Sequence, residues 1–302
     1  MTRIATMPMQ RQFQALLMRQ QQKLSDVAEQ VASQKKVNDY AGMGADSSRV
    51  LVARGLLDQI EAQGRVTSRV DASLSFYQSR INEIDTAMTA LNTAITNALG
   101  TGNAPTMVSD AEATYAQFRA AINAADDGLP IFAGSRTDSP PLKLYTLADT
   151  VGADPNLAFN NDETRIAAQV APGQTMQFGI VATDFGKPFI EAFRTIAELG
   201  TLPARPTQAQ LDELAKAKTF IQNGLKQLRA ADALNGRNQN RVDDVITRTK
   251  DREIVLKGAI SDVEDANGAE IETELVARRT LLDASLSAYK IINSVSLVDF
   301  LR

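Results

Sequence analysis

The sequence predicts a mainly α fold: a long antiparallel coiled-coil helical bundle formed by the N- and C-terminal halves, with a small β-rich insert in the middle. Three observations predict it. Val70, Leu74, Tyr77, Ile81, Ile84, Met88, Leu91, Ile95 and Ala98 recur in alternating steps of four and three, and a sustained seven-residue repeat keeps one apolar stripe against a partner helix. A second seam steps by four and three through Leu211, Leu214, Ile221, Leu225, Leu228, Val242, Ile246, Leu256, Ile260 and Val263. Between them, in residues 128–181, Gly, Pro, Asn and Asp break the chain into short apolar pieces of strand length.

Each element follows in order. After Pro8, a good first-turn residue, an amphipathic helix to residue 36 carries Phe13, Leu16, Leu17, Leu24, Val27 and Val31 at mixed spacings of three and four. VNDYAGMGAD (37–46) makes a turn, with Asp46 or Ser47 available to cap the next helix, 48–99. Gly100, Gly102 and Pro105 end that helix, and a shorter one, 108–127, sets Tyr115, Phe118 and Ile122 on one side.

LPIFAG (129–134), PLKLYTL (141–147), TRIAAQV (164–170) and TMQFGIV (175–181) read as strands. A helix over 184–199 tolerates Gly186 and Pro188 near its start, and TLPARP (201–206) is a linker. Thr207 is placed to cap the second long helix, in which Asp232, Asn235 and Gln239 fall on seam positions and predict a polar stutter or local bend. A last helix, 269–294, turns Ile271, Leu275, Leu282, Tyr289 and Ile292 inward. The chain is thus expected to divide into an N-terminal segment (1–45), two bundle halves (46–128 and 207–268) around the insert (129–206), and a C-terminal segment (269–302). Helical halves at both ends favour terminal helices packed together, with the middle displayed at the far end.

Composition narrows function. The 302 residues are 44% hydrophobic, enough for a core, yet contain no Cys and no His. That removes Cys and His nucleophile and base chemistry, His/Cys zinc sites and iron–sulfur clusters, and no catalytic, cofactor or metal residues are expected. A net charge of -4 with both signs mixed throughout gives neither a nucleic-acid footprint nor a polybasic membrane patch. No N-terminal stretch has signal-peptide character, so any export is expected to use a route without a cleaved signal. AGMGAD (41–46) follows a helix and lacks a Gly-Lys-Ser/Thr ending, which makes it a turn rather than a phosphate loop. The carboxylate pairs Asp126/Asp127, Asp243/Asp244 and Glu264/Asp265 point different ways on a helix and read as solvated faces or caps.

The two ends are unusual. Leu297, Val298, Phe300 and Leu301 crowd the last six positions, and residues 8–36 carry their own apolar stripe. That much hydrophobic surface marks an interface, unless the two ends pair with each other in cis.

Four stretches carry a family resemblance: RIATMPMQRQF near the start, VASQKKVNDYAGMGADSSRVLVA (31–53), IFAGSRTDSPPL (131–142), and ISDVEDANGAEIETELVARRTLLDASLSAYKIINSVSLVDFLR (260–302). Together they resemble the bacterial flagellin family over residues 1–142 and 207–302. Within it the chain is most similar to the hook-associated members at the hook–filament junction. An aromatic, Ala and Gly precede a Thr and a Pro pair, and the ending SLVDFLR is similar to the Ser-Leu-x-Asp-Tyr of those members. The Gln-Ala-Asn phrase usual near flagellin C-termini is missing, and so is the Pro commonly found in the first turn, where Gly44-Ala45-Asp46 stands.

The resemblance implies a structural component of the bacterial flagellum that joins hook to filament through helical self-assembly, is exported by the flagellar secretion apparatus, and works outside the cell. It implies terminal helices that are disordered in the monomer and pair in the growing tube. Its implied partners are copies of itself, neighbouring hook-associated proteins, flagellin, and an export chaperone at the C-terminal helix. No nucleic acid, membrane or cofactor is implied. The assembly interface is expected at Ile4, Phe13, Leu16, Leu17, Leu24, Val27, Leu282, Tyr289, Ile292, Leu297, Val298, Phe300 and Leu301. Two other readings remain: a filament flagellin subunit, and a cytoplasmic coiled-coil scaffold, which explains the heptads but not the apolar tail beside a β-rich insert.

Overall fold

The structure is a computed structural model that describes residues 3–37 and 39–298, with side chains described for residues 8, 11–37 and 39–291. Its elements run α1 (Arg3–Ser33), α2 (Ser47–Thr101), α3 (Met107–Ile122), β1 (Ala125–Asp126), β2 (Leu129–Pro130), β3 (Ile166–Ala171), β4 (Gln174–Phe178), α4 (Gly186–Glu198), α5 (Gln208–Glu264) and α6 (Gly268–Val298). The mainly α bundle with a small β insert is what forms. Boundaries differ at the start: α1 begins at Arg3, so Pro8 lies inside it rather than in its first turn. At the other end of α1, Gln34 takes a left-handed φ of 56° and stops the helix.

Thr207 does cap α5. Its backbone N–H donates to Gln210 Oε1 at 2.9 Å, and the Gln210 N–H donates to Thr207 Oγ1 at 3.3 Å, a reciprocal box that satisfies two otherwise orphaned donors. Ser47 Oγ instead donates back to the Gly44 carbonyl, and Asp46 pairs with Arg49.

The chain divides into two compact units, Met1–Gln59 with Asp251–Arg302, and Ile60–Lys250. In the 60–250 unit every α2 seam residue from Val70 to Ala98 is buried, as are Leu214, Ile221, Leu225, Leu228 and Val242 of α5. The two helices run antiparallel: Arg229 grips Asp85 at 2.8 and 3.0 Å, and Asn235 Nδ2 reaches the Leu74 carbonyl at 2.9 Å. Arg229 holds the Asp85 carboxyl below its ordinary value by hydrogen bonding.

Helices α3 and α4 complete this core with interlocked aromatic rings. Tyr115 meets Phe193 edge-on at 5.0 Å, and Phe118 meets Phe189 at 5.6 Å. Burying each such side chain stabilises by about 1.5–3 kcal/mol before ordering costs. The polar stutter is present, but α5 runs through it as one helix. Asn235, almost fully buried, separates the main core from a smaller cluster of Val70, Leu74, Val170, Met176, Phe178, Val242 and Val245.

Strand content in the insert is smaller than its apolar pieces suggest. β1 and β2 form a two-residue antiparallel ladder, and β3 and β4 a hairpin whose Val170, Met176 and Phe178 join the smaller cluster. PLKLYTL forms no strand beyond one bridge between Leu142 and Phe159. Side chains take the partners a neighbouring strand would have supplied: Asn123 brackets both backbone groups of Leu142 at 3.1 and 2.8 Å, and Tyr115 donates its hydroxyl to the Leu144 carbonyl at 2.9 Å.

The IFAGSRTD phrase is a structural plug. Phe132 sits edge-on between Tyr77 at 5.4 Å and Phe185 at 5.7 Å, and Tyr77 donates to the Ile131 carbonyl at 2.6 Å. Burial pushes the Tyr77 phenol up to about 12. Gly134 has φ 71°, and a Cβ there would lie 2.2 Å from Asp162 Oδ1, so only glycine fits.

Candidate assembly surface

The unit formed by residues 1–59 and 251–302 contains α1, the first turns of α2, the last turns of α5, and α6. Its two terminal helices pair antiparallel. Phe13 stacks on Tyr289 with ring centroids 5.8 Å apart at 28°, and at the inner end Val27 and Ile271 are buried. Leu17, Leu24, Leu275 and Leu282 are half-buried on the facing sides, while Leu16 is exposed. Seven expected interface residues are thus on described side chains: Phe13, Leu17, Leu24, Val27, Leu282 and Tyr289 on the α1/α6 seam, and Leu16 beside it. The side chains of Ile4, Ile292, Leu297 and Val298, and residues Phe300 and Leu301, lie outside the described residues.

The outer faces of this unit are apolar too. Met18 on α1, Leu51, Val52 and Leu56 on α2, Ile254 and Val255 on α5, and Val276, Leu281, Leu286 and Ile291 on α6 are all exposed. Ile254 and Val255 are 68% and 70% exposed. By contrast, the apolar residues buried among the described part of this unit are Val27, Val50, Ala53 and Ile271. Exposed apolar side chains grouped on one unit in this way make it the candidate assembly surface. The α5 and α2 outer faces were not anticipated, although Ile254-Val255 next to the seam residue Leu256 was a readable signal: three consecutive apolar residues on a helix cannot all face one partner.

Glu264 also departs from the sequence reading. It is not on a solvated face: its side chain is 4% exposed and is held by Lys35 Nζ at 3.1 Å and Arg54 Nη2 at 2.5 Å. Arg54 in turn donates to the Tyr40 hydroxyl at 2.9 Å and lies over its ring. A carboxylate one step past the seam residue Val263, with Lys35 and Lys36 in the opposite turn, was the available signal. The other two pairs, Asp126/Asp127 and Asp243/Asp244, are exposed. Among the described residues no cluster of three or more His, Cys, Asp or Glu is placed to hold a metal, and no helix is long and apolar enough to cross a membrane.

Most of this apolar surface, and the whole of α6's described length, falls in a region with recognisable relatives. Residues 219–301 match the bacterial flagellin C-terminal helical region. Among curated proteins no sequence match was found. Solved structures share the fold of this chain at low identity. A protein described as a flagellar hook-associated protein from Vibrio parahaemolyticus is 15% identical, with a TM-score of 0.59 over 72% of this chain and 97% of that one. FlgL of Bacillus cereus is 12% identical, with a TM-score of 0.59 over 70% of this chain and 99% of that one. FlgL of Xanthomonas campestris is 12% identical, with a TM-score of 0.57 over 69% and 99%. The flagellin resemblance read from the ending of the sequence therefore coincides with the matched region, and the fold is the one hook-associated proteins adopt.

Proposed function

We propose that this chain is a structural component of the bacterial flagellum, a junction protein that joins hook to filament through helical self-assembly and catalyses no reaction. The observation that carries the reading is the exposed apolar surface of α2, α5 and α6 in the unit that bears most of the flagellin-type match. Subunits arranged head to tail cover such faces without symmetry-related closure, which suits a tube. Burying Ile254 and Val255 alone is worth roughly 3–6 kcal/mol gross per contact, before ordering costs.

Residues 1–45 and 269–302 are the proposed polymerisation segments, and Ile4, Phe13, Leu16, Leu17, Leu24, Val27, Leu282, Tyr289, Ile292, Leu297, Val298, Phe300 and Leu301 their contact residues. Segments that finish ordering on assembly confine polymerisation to the growing end. The proposed partners are further copies of the chain, hook-associated neighbours and flagellin, with an export chaperone at the C-terminal helix before secretion to the cell exterior. The hook-associated fold neighbours favour the junction over a filament subunit.

The test is a double variant, Ile254→Glu with Val255→Glu, and a second chain ending at Ser294. Both are expected to keep the wild-type melting of the 60–250 unit and to lose hook–filament joining, scored by motility and by electron microscopy of shed filaments. Normal joining by both would end this reading.

A further inference from the structure

We propose that the corner where α1 meets α6 is a clasp, which holds the two terminal helices together at their inner ends so that they open from the tips inward. Three chain segments converge there. The Gln34 carbonyl accepts from the Ala266 N–H at 2.9 Å, and the Lys36 N–H donates to the Glu264 carbonyl at 2.7 Å, around a bridge between Lys35 and Asp265. Lys36 Nζ reaches the Asp262 carbonyl at 2.6 Å, and Gln30 Nε2 the Lys36 carbonyl at 2.8 Å. The buried Glu264 carboxylate then ties Lys35 to Arg54 of α2. Two backbone bonds and an ion triad fix one point on each strand of the α1/α6 pair.

Two further observations make this corner a device and not just a turn. The first is a packing gradient. The two buried residues of the α1/α6 seam, Val27 and Ile271, lie within two turns of the corner, while Leu24, Leu17 and Phe13 on α1 and Leu275, Leu282 and Tyr289 on α6, further out, are only half-buried. Local opening follows where apolar cover is least. The second is strain: Gln34 is a non-glycine residue at φ 56°, a conformation that persists where its surroundings hold it. The Gln34 carbonyl bond to Ala266 is such a hold. This inference stands on the isolated chain and does not rest on the flagellar reading.

Amide hydrogen exchange on the purified full-length chain tests it. In the wild type, amides of residues 24–33 and 268–275 are expected to exchange more slowly than those of 11–17 and 282–291. Glu264→Ala removes the carboxylate that both cations share. Since Lys35 and Arg54 are each 41% exposed and partly solvated, the expected rise at 24–33 and 268–275 is about 10-fold or more, below the full effect of breaking a buried pair. Protection in residues 70–98 and 211–245 is expected to stay unchanged.

Gln34→Gly, which relieves the left-handed strain, is expected to slow the same inner amides by about 3- to 5-fold. Uniform protection along α1, or Glu264→Ala lowering protection in both units equally, or inner amides indifferent to both variants, overturns the clasp. Unprotected amides throughout 11–33 overturn it too, and leave the assembly reading untouched; normal gradients with no polymerisation do the reverse.

Discussion

Gly224 and Gly236 stand in the same helix, and the same substitution should move stability in opposite directions at the two positions. A Cβ on Gly224 would lie 2.4 Å from Cε1 and 2.6 Å from Cδ1 of Phe189. Carbon atoms in contact sit about 3.5–4.0 Å apart, so the ring or α5 must give by roughly 1 Å. The ring has nowhere to go: Phe189 is fully buried, with Phe118 at 5.6 Å and Phe185 at 6.5 Å. Overpacking of this sort costs about 1–3 kcal/mol, and alanine's helix preference over glycine offsets about 1 kcal/mol of it. Gly224→Ala should therefore destabilise by up to about 2 kcal/mol. At Gly236 no atom lies within 4 Å of the added Cβ, so only the helix preference acts, and Gly236→Ala should stabilise by about 0.5–1 kcal/mol. Urea unfolding followed by far-ultraviolet circular dichroism and by emission from the buried Tyr77 and Tyr115 reads both. With slopes of about 1–3 kcal/mol per molar urea, each change is a midpoint shift of a few tenths of a molar or more. A Gly224→Ala midpoint at or above wild type, or a Gly236→Ala midpoint below it, would refute the packing argument.

Two more outcomes follow. Hydrogen bonds from the Ser135 hydroxyl and N–H and the Thr164 N–H lower the Asp162 carboxyl from 3.8 to about 2. A depressed carboxylate contributes stability that is fully present above its unfolded value and is lost as pH falls through its folded one. Asp162→Asn should thus be less stable than wild type at neutral pH, with the gap closing between about pH 4 and pH 2 in a pH series of urea midpoints; a gap independent of pH would contradict the assignment. Asn235→Leu should raise the urea midpoint, by about 1 kcal/mol in stability, because the buried Asn235 Oδ1 has no hydrogen-bond partner among the described residues and Leu74 O keeps its helical role; a fall of similar size would show that the polar layer stabilises the pairing.

What the sequence revealed depended on whether a residue's environment was periodic. The α2 seam from Val70 to Ala98 was legible because each inward residue repeats the same requirement on one partner face, and each is buried. Thr207 was legible because a cap is local: its partner, Gln210, is three residues away. The strand reading of PLKLYTL failed for the opposite reason. Its alternating apolar pattern is real, but its partners, Asn123 and Tyr115, come from α3 and its flank, and no window of local sequence contains them. Glu264 was missed likewise, since Lys35 and Arg54 are more than two hundred residues away along the chain. The apolar ends were seen as an interface, while the neighbouring α5 face was not, because attention to seam spacing passes over apolar residues that lie off the seam.

Those off-seam residues bear on function. Helix α6 turns Ile271, Leu275 and Leu282 toward α1 and at the same time exposes Val276, Leu281 and Ile291 on its other sides. Between those apolar positions α6 carries Glu270, Glu272, Glu274, Arg278, Arg279, Asp283 and Lys290, so its exposed apolar residues lie as patches among charges. α1 covers one side. In the self-assembly proposed above, the apolar patches of α6 would meet the off-seam Ile254, Val255, Leu51 and Val52 of a second copy, which are exposed on α5 and α2. On that proposal each subunit supplies both the exposed helix and the apolar face that would cover it, which is the condition for a contact that repeats from one subunit to the next.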